Sequence, residues 1–399
     1  FRRRMINKKN YIVKIFNIAY VTKHGKWILQ SIGIWPAVLG DVTKFLPKIA
    51  IALSNFVLLF AIIPCILHII FEEKDTIMRL KLSGLLSFCC TSLMKYWALT
   101  LRKPRIKGCI EQVGRPYWQV ELHKDREIML KYGRVGRNLT IICAVFMYTG
   151  GTIYHSILQY AIGTFVDEHN RTIKPLVYPM YSALYDVQSS PIYHLVYVIH
   201  CMCGYVMYSI TAGACGLAAL FATHTCGQID IITSRLNDLV RGEYMKERLN
   251  LNADKCININ LHNIINMKNP LYMSAICFLE FIGSTCMICL LEYYCITSNT
   301  ISLTTYTMLL ISLTFNIFIL CYIGELLIEK SSSVGLSCFM IDWFHLPTKT
   351  IHGLILIIAM SNNPAKISAG RIADLSLSTF GSVLKSSLAY LSFLRTTVM

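Results

Sequence analysis

Few residue groups in this chain of 399 residues have the types and spacing that chemistry needs. Cys286 and Cys289 form a C-x-x-C, the spacing of redox pairs and of half a zinc site. They sit inside an apolar run, where cysteine is a small hydrophobe, so helix packing is the expected role. His194 and His200 are six apart, which is not the H-x-x-x-H spacing that sets two imidazoles on one helix face for a metal. No G-x-S-x-G, phosphate loop or dinucleotide fingerprint occurs. No enzyme, no metal and no cofactor is expected. Glu280 and Glu292 lie in otherwise apolar sequence, where a carboxylate is costly unless it meets a partner or water. Lys385 is the candidate counter-charge for Glu280. Glu292 lies near the end of its run and is read as reaching the interface.

Lys385 belongs to the closing stretch LSTFGSVLKSSLAYLSFLRTTVM, Leu377 to Met399. On a helical period Ser378, Ser382, Lys385/Ser386, Ala389, Ser392/Phe393 and Thr396 share one face. Leu377, Val383, Leu384, Leu388 and Leu391 lie opposite. Two readings stay open. Small and hydroxyl residues let membrane helices approach closely. Alternatively the face meets water, because a mid-helix lysine in lipid needs water or a counter-charge. Phe393 would then be an apolar constriction, and several copies around an axis would be needed to close a pore.

The elements that position these residues follow from composition. The chain is 54% hydrophobic and 15% charged, with a mean hydropathy of +0.50, against about 25% charged in soluble domains. Seven apolar spans are read: 48–71, 78–101, 137–165, 192–225, 271–296, 301–327 and 372–396. The apolar patch at 350–360 is too short to cross. The net charge of +16 invites a nucleic-acid reading, but the basic residues fall between spans. Ten Lys/Arg lie in the segment through Lys48, ten in the loop 102–137, six in 227–270 and four in 329–371. The opposite side holds three, two and none. The positive-inside rule puts the N-terminus in the cytoplasm and the C-terminus outside. Asn170, in N-R-T, then falls outside as a glycosylation acceptor, whereas Asn138 falls at the cytoplasmic mouth of span three. No long apolar run follows FRRRMINKKN, so no cleaved signal is expected.

This topology is inverted relative to G-protein-coupled receptors, and their motifs are misplaced: the DRE at Asp125 lies mid-loop and the NPLY at Asn269 precedes span five. No internal repeat supports a transporter.

The C-terminal fifth resembles insect odorant receptors, in the style of ants, bees and wasps. The resemblance rests on C-Y-x-G-E (Cys321 to Glu325), W-x-x-L-P (Trp343 to Pro347), L-x-x-x-x-M-S-x-x-P (Leu356 to Pro364), L-S-L-x-T-F (Leu375 to Phe380) and S-x-x-Y-x-x-x-L-R (Ser387 to Arg395). IGIWP at Ile32 to Pro36 adds an N-terminal match. The resemblance implies an all-α, seven-span subunit of a ligand-gated, non-selective cation channel. It would be tetrameric with an odorant co-receptor and sit in the dendritic plasma membrane of olfactory sensory neurons. It implies a cytoplasmic segment over 1–47, a ligand bundle over 48–327, an anchor region over 328–371 with a helix at about Ile323 to Phe344, and a pore-lining last span over 372–399. Ser382, Lys385, Ala389, Ser392 and Thr396 would line that pore, with Phe393 or Leu394 as gate. The family usually has a smaller aliphatic residue there. The partners would be the co-receptor, membrane lipid and a small apolar odorant, not nucleic acid. The odorant site would lie among spans two, three, four and six, where Leu85, Phe88, Met147, Gly150, Tyr154, Tyr197, Tyr306 and Leu310 are the candidates, beside Tyr193 and Cys201. Gly150 is read as leaving room beside Tyr154. A gustatory-type channel is the alternative, although its T-Y-x-x-x-x-x-Q-F pattern is absent from AYLSFLRTTV. A metabotropic receptor is disfavoured by topology.

Overall fold

The computed structural model describes residues 19–36, 45–119, 123–163, 165–166, 172–174, 176–181, 187–189, 191–240, 271–297, 300–340, 348–370 and 372–398. Residues 19–31 form helix α1. Then follow α2 (Leu46–Phe71), α3 (Thr76–Leu101), α4 (Lys103–Gln119) and α5 (His123–Ile162). A hairpin of β1 (Phe165–Val166) and β2 (Thr172–Ile173) leads to α6 (Ile192–Val240). The chain continues through α7 (Leu271–Thr297), α8 (Thr300–Phe339) and α9 (Thr348–Ser361). A second hairpin, β3 (Ser368–Ala369) with β4 (Ala373–Asp374), precedes α10 (Leu377–Val398).

The expected all-α membrane architecture is present. Helices α2, α6, α7 and α8 are long and apolar enough by composition alone to cross a membrane. Helices α3, α5 and α10 complete the seven, and carry charges that lower their hydropathy, such as Arg79, Lys95, Arg134 and Lys385. Helix α6 is the axis: nearly all of its apolar window is buried, against α5, α8, α2 and α3. Helix α2 is peripheral and turns Ile49, Leu53, Phe56, Ile63 and Ile70 outward, the signature of a lipid-facing side.

Close helix approach comes from glycine. A Cβ at Gly151 on α5 would collide with the Tyr208 ring on α6, and one at Gly204 on α6 would come within 2.6 Å of the His155 ring on α5. Small residues let two membrane backbones meet where lipid offers no hydrophobic drive.

Two boundaries differ from the sequence reading. The described residues of 102–137 form α4 and the first turns of α5 rather than a loop. Its charges hid an apolar stripe at Ile106, Ile110 and Val113, which packs inward. Helix α6 runs past the expected end at 225 to Val240, because Ile229 and Ile232 join a cluster with Val334, Cys338, Leu354 and Ile357. Helix α8 continues unbroken beyond the expected end of span six as far as Phe339, as the resemblance implies, and α9 packs along it.

Candidate functional site

The site is built where α3, α5, α6 and α8 converge. Phe88 and Met147 lie in the main buried cluster, and Leu85, Tyr154, Tyr197, Tyr306 and Leu310 pack against it from partly buried positions. Tyr154 is within electrostatic range of Tyr306, Cys89 and Tyr294. The rings of Tyr294 and Tyr306 lie 5.5 Å apart. The structure therefore brings a tyrosine from α5, one from α7 and one from α8 together. Tyr193 stacks on Tyr197 at 6.3 Å, under the Lys174 ammonium. Cys201 is half-buried one turn further along α6.

Gly150 does not leave room beside Tyr154. A Cβ there would run into Ser312 of α8, whose hydroxyl donates to the Met308 carbonyl at 2.8 Å. Its missing side chain is used for helix contact.

Sequence reasoning missed the hub of this region, His155. Its Nε2 lies 3.2 Å from the Tyr178 hydroxyl, its Nδ1 lies 2.9 Å from the Tyr208 hydroxyl, and its carbonyl accepts from Tyr197 at 3.1 Å. Tyr178 comes from the segment between β2 and α6, which dips into the bundle and buries Val177, Tyr178 and Met180. The Tyr178 ring meets His200 edge-on at 5.0 Å. A non-helical residue entering a membrane bundle leaves no periodic signal. His155 itself was readable as an intramembrane titratable group.

Deeper in the bundle, the expected pairing of Glu280 with Lys385 is wrong. Glu280 Oε2 accepts from Lys95 at 2.7 Å, and Oε1 accepts from Asn316 at 2.7 Å and from Ser284 at 3.2 Å. Lys95 also donates to Thr211 at 3.0 Å, and the Cys143 thiol donates to Asn316 at 3.2 Å. Lys95 and Glu280 are almost fully buried. Neither charge can reach water, so each must be met inside the bundle. Lys385 points outward on α10 and is out of reach. Glu292 is not left to the interface either. Its Oε1 accepts from Ser387 of α10 at 2.9 Å.

Helix α10 has two unlike faces. Val383 and Ser387 are buried against α7 and α8, with Leu384, Leu391 and Phe380 half-buried beside them. Ser382, Lys385, Ala389, Ser392 and Thr396 are all exposed, turned away from the chain's own bundle. The side chains of Phe393 and Leu394 lie outside the described residues, as does Asn170. Leu377 and Leu388, placed by the period on the inward side, are exposed at its margins.

The end of the bundle around Asp230 carries its own polar ties. The Tyr132 hydroxyl donates to Asp230 at 2.6 Å, and Lys330 pairs with the same carboxylate at 3.2 Å. Burial, and then the Asp230 carboxylate, raise the Tyr132 phenol above its ordinary range. Arg235 pairs with buried Asp125 at 2.5 Å. Among the described residues no group of three His, Cys, Asp or Glu side chains is placed to hold a metal.

A family profile described as 7tm Odorant receptor matches residues 80–388. The chain is 25% identical over 338 residues to odorant receptor 13a of Drosophila melanogaster, covering 77% of this chain and 78% of that protein. It is 24% identical over 317 residues to odorant receptor Or2 of Anopheles gambiae, covering 74% and 79%. The fold is similar to the solved insect olfactory receptor OR5 from Machilis hrabei, with a TM-score of 0.73 at 13% identity over 96% of this chain and 98% of that one. The same receptor solved in complex with eugenol gives a TM-score of 0.74.

Proposed function

This chain belongs to the 7tm odorant receptor family, a multi-pass membrane family, and from that premise we propose that it is an odorant-gated cation channel subunit. The observation that carries the proposal is the outward polar face of α10. A helix whose hydroxyls and lysine turn from its own bundle needs water or other subunits to meet them. Four copies around an axis would place Ser382, Lys385, Ala389, Ser392 and Thr396 on a conduction path, with Phe393 or Leu394 at its constriction. The tetramer would combine this subunit with an odorant co-receptor, in the dendritic membrane of olfactory sensory neurons. Its N-terminus would be cytoplasmic and its C-terminus outside, with Asn170 open to glycosylation.

The ligand would be a small, mostly apolar molecule seated among Leu85, Phe88, Met147, Tyr154, Tyr197, Tyr306 and Leu310. A mostly apolar lining with a few hydroxyls suits such a molecule. That OR5 was solved in complex with eugenol, a small volatile, supports a ligand of this class for the shared fold. The test is whole-cell recording from cells expressing the chain with an insect odorant co-receptor and, separately, alone, under a panel of volatiles and cuticular hydrocarbons. Fast inward current only with the co-receptor is the expected result. Silence under both conditions, with the chain at the cell surface, would reject the proposal.

A further inference from the structure

One cleft lies apart from the ligand region and from the α10 face. It sits between α1, the segment after it, α5 and α6, and is lined by Thr22, Gly25, Trp35, Arg137 and Gly216 among others. Its volume is about 10 Å³, enough for one oxygen atom with its hydrogens. Two of the side chains that line it are buried donors without an acceptor, beside the Thr22 and Thr140 hydroxyls. Trp35 is 8% exposed, and its indole Nε1–H has no partner among the described residues. The Nε–H of Arg137 is likewise buried and unpartnered. Nε2 of His24, the residue before Gly25 on α1, is also buried and unpartnered, a donor or an acceptor according to the tautomer. An unmet buried donor costs about 1–3 kcal/mol, and more when it is charged.

The surroundings are positive as well as donor-rich. The Arg137 guanidinium lies over the Tyr20 ring at 4.1 Å and is paired with no carboxylate among the described residues. Lys23 stands over the ring of Trp27 at 4.9 Å. Burial, then Arg137 and Lys23, hold the His24 imidazole below its usual range, as expected of an uncompensated positive field. A water would satisfy the donors and leave the charge unmet. An anionic oxygen satisfies both. The exposed Tyr20 and Trp27 on α1 are amphipathic rings of the kind that sit at headgroup level.

We propose that this cleft is a binding site for a phosphate-type oxyanion, which places one oxygen between the Trp35 and Arg137 donors while the rest of the group stays at the mouth. The chemistry is shared by a phosphorylated lipid headgroup and by free phosphate. The geometry does not depend on what gates the channel, so the site stands or falls separately from the odorant reading.

The test is thermal unfolding of the purified full-length chain. One arm adds inorganic phosphate against matched chloride in detergent. The other compares phosphatidylcholine vesicles with and without phosphatidylinositol phosphate. Wild type should gain about 2 °C in Tm from at least one source. A gain in both arms means that the group alone suffices, and a gain in the lipid arm only assigns the headgroup. Arg137→Gln should abolish the gain. Trp35→Phe, which keeps the ring and removes the donor, should at least halve it. No gain from either source in wild type, or an equal gain in both variants, would overturn the site.

Discussion

Lys95 on α3 and Glu280 on α7 form an ion pair of 2.7 Å at 3% and 6% side-chain exposure, inside the helix bundle. Asn316 on α8 and Thr211 on α6 complete it, so one carboxylate and one ammonium tie four helices. Two of those helices, α7 and α8, are the ones that α10 packs on.

Removing one partner strands a charge, whereas removing both does not. Lys95→Met alone should therefore destabilise the fold by about 3–5 kcal/mol. It should abolish surface expression, and Glu280→Gln should have a smaller effect because its amide can still hydrogen-bond. Lys95→Met with Glu280→Leu should restore expression toward wild type. Surface biotinylation of the three variants checks this. A double variant as defective as Lys95→Met alone would contradict the pairing.

Tyr154 offers a ring and a hydroxyl to the region where Tyr294 and Tyr306 meet. Tyr154→Ala should weaken agonist potency by about tenfold or more, with surface expression intact. Tyr154→Phe should lose potency only toward ligands that carry a hydrogen-bonding group. Superimposable dose-response curves for Tyr154→Ala and wild type would remove this residue from the site.

The two faces of α10 should respond differently. Ser387→Ala on the buried face deletes the donor to Glu292 and should cost about 1 kcal/mol, read as a lower Tm with unchanged permeation. Lys385→Glu on the exposed face should leave Tm unchanged and raise the preference for cations over anions, read as a shift in reversal potential. A Tm loss for Lys385→Glu without any change in permeation would reverse the assignment of faces.

Cys338 is buried between α6, α8 and α9, and burial pushes its thiol up to about 11. Below that value the reactive thiolate falls tenfold per pH unit. Maleimide labelling of the folded protein at pH 7 should spare Cys338 and should speed up as pH rises or as this helix cluster unfolds. Peptide mass spectrometry after a timed pulse reads this. Full labelling at pH 7 within the time taken by an exposed cysteine would contradict the packing.

The span pattern was legible because lipid demands about 20 apolar residues per crossing. The stripe on α10 was legible because its period is helical. Several features were not. The pairing of Glu280 went to Lys385 because a sequence shows which charges exist but not which helices touch, and Lys95 is as costly in span two as Glu280 is in span five. Helix α4 was hidden by its charges, since ten basic residues over 102–137 outweighed the three apolar positions that bury it. Tyr178 enters the bundle from a segment with no period at all. Gly150 was read as space, when in a membrane bundle a glycine is as readily a contact, and here Ser312 fills the place.

Replacing external sodium with a large impermeant cation during an agonist-evoked current separates a channel from a metabotropic receptor. The recording uses cells that express this chain with an odorant co-receptor. The proposed channel predicts that the inward current appears within milliseconds of agonist, collapses on replacement, and returns when sodium does. A slow current that survives the replacement, or that depends on guanine nucleotide in the pipette, would contradict it.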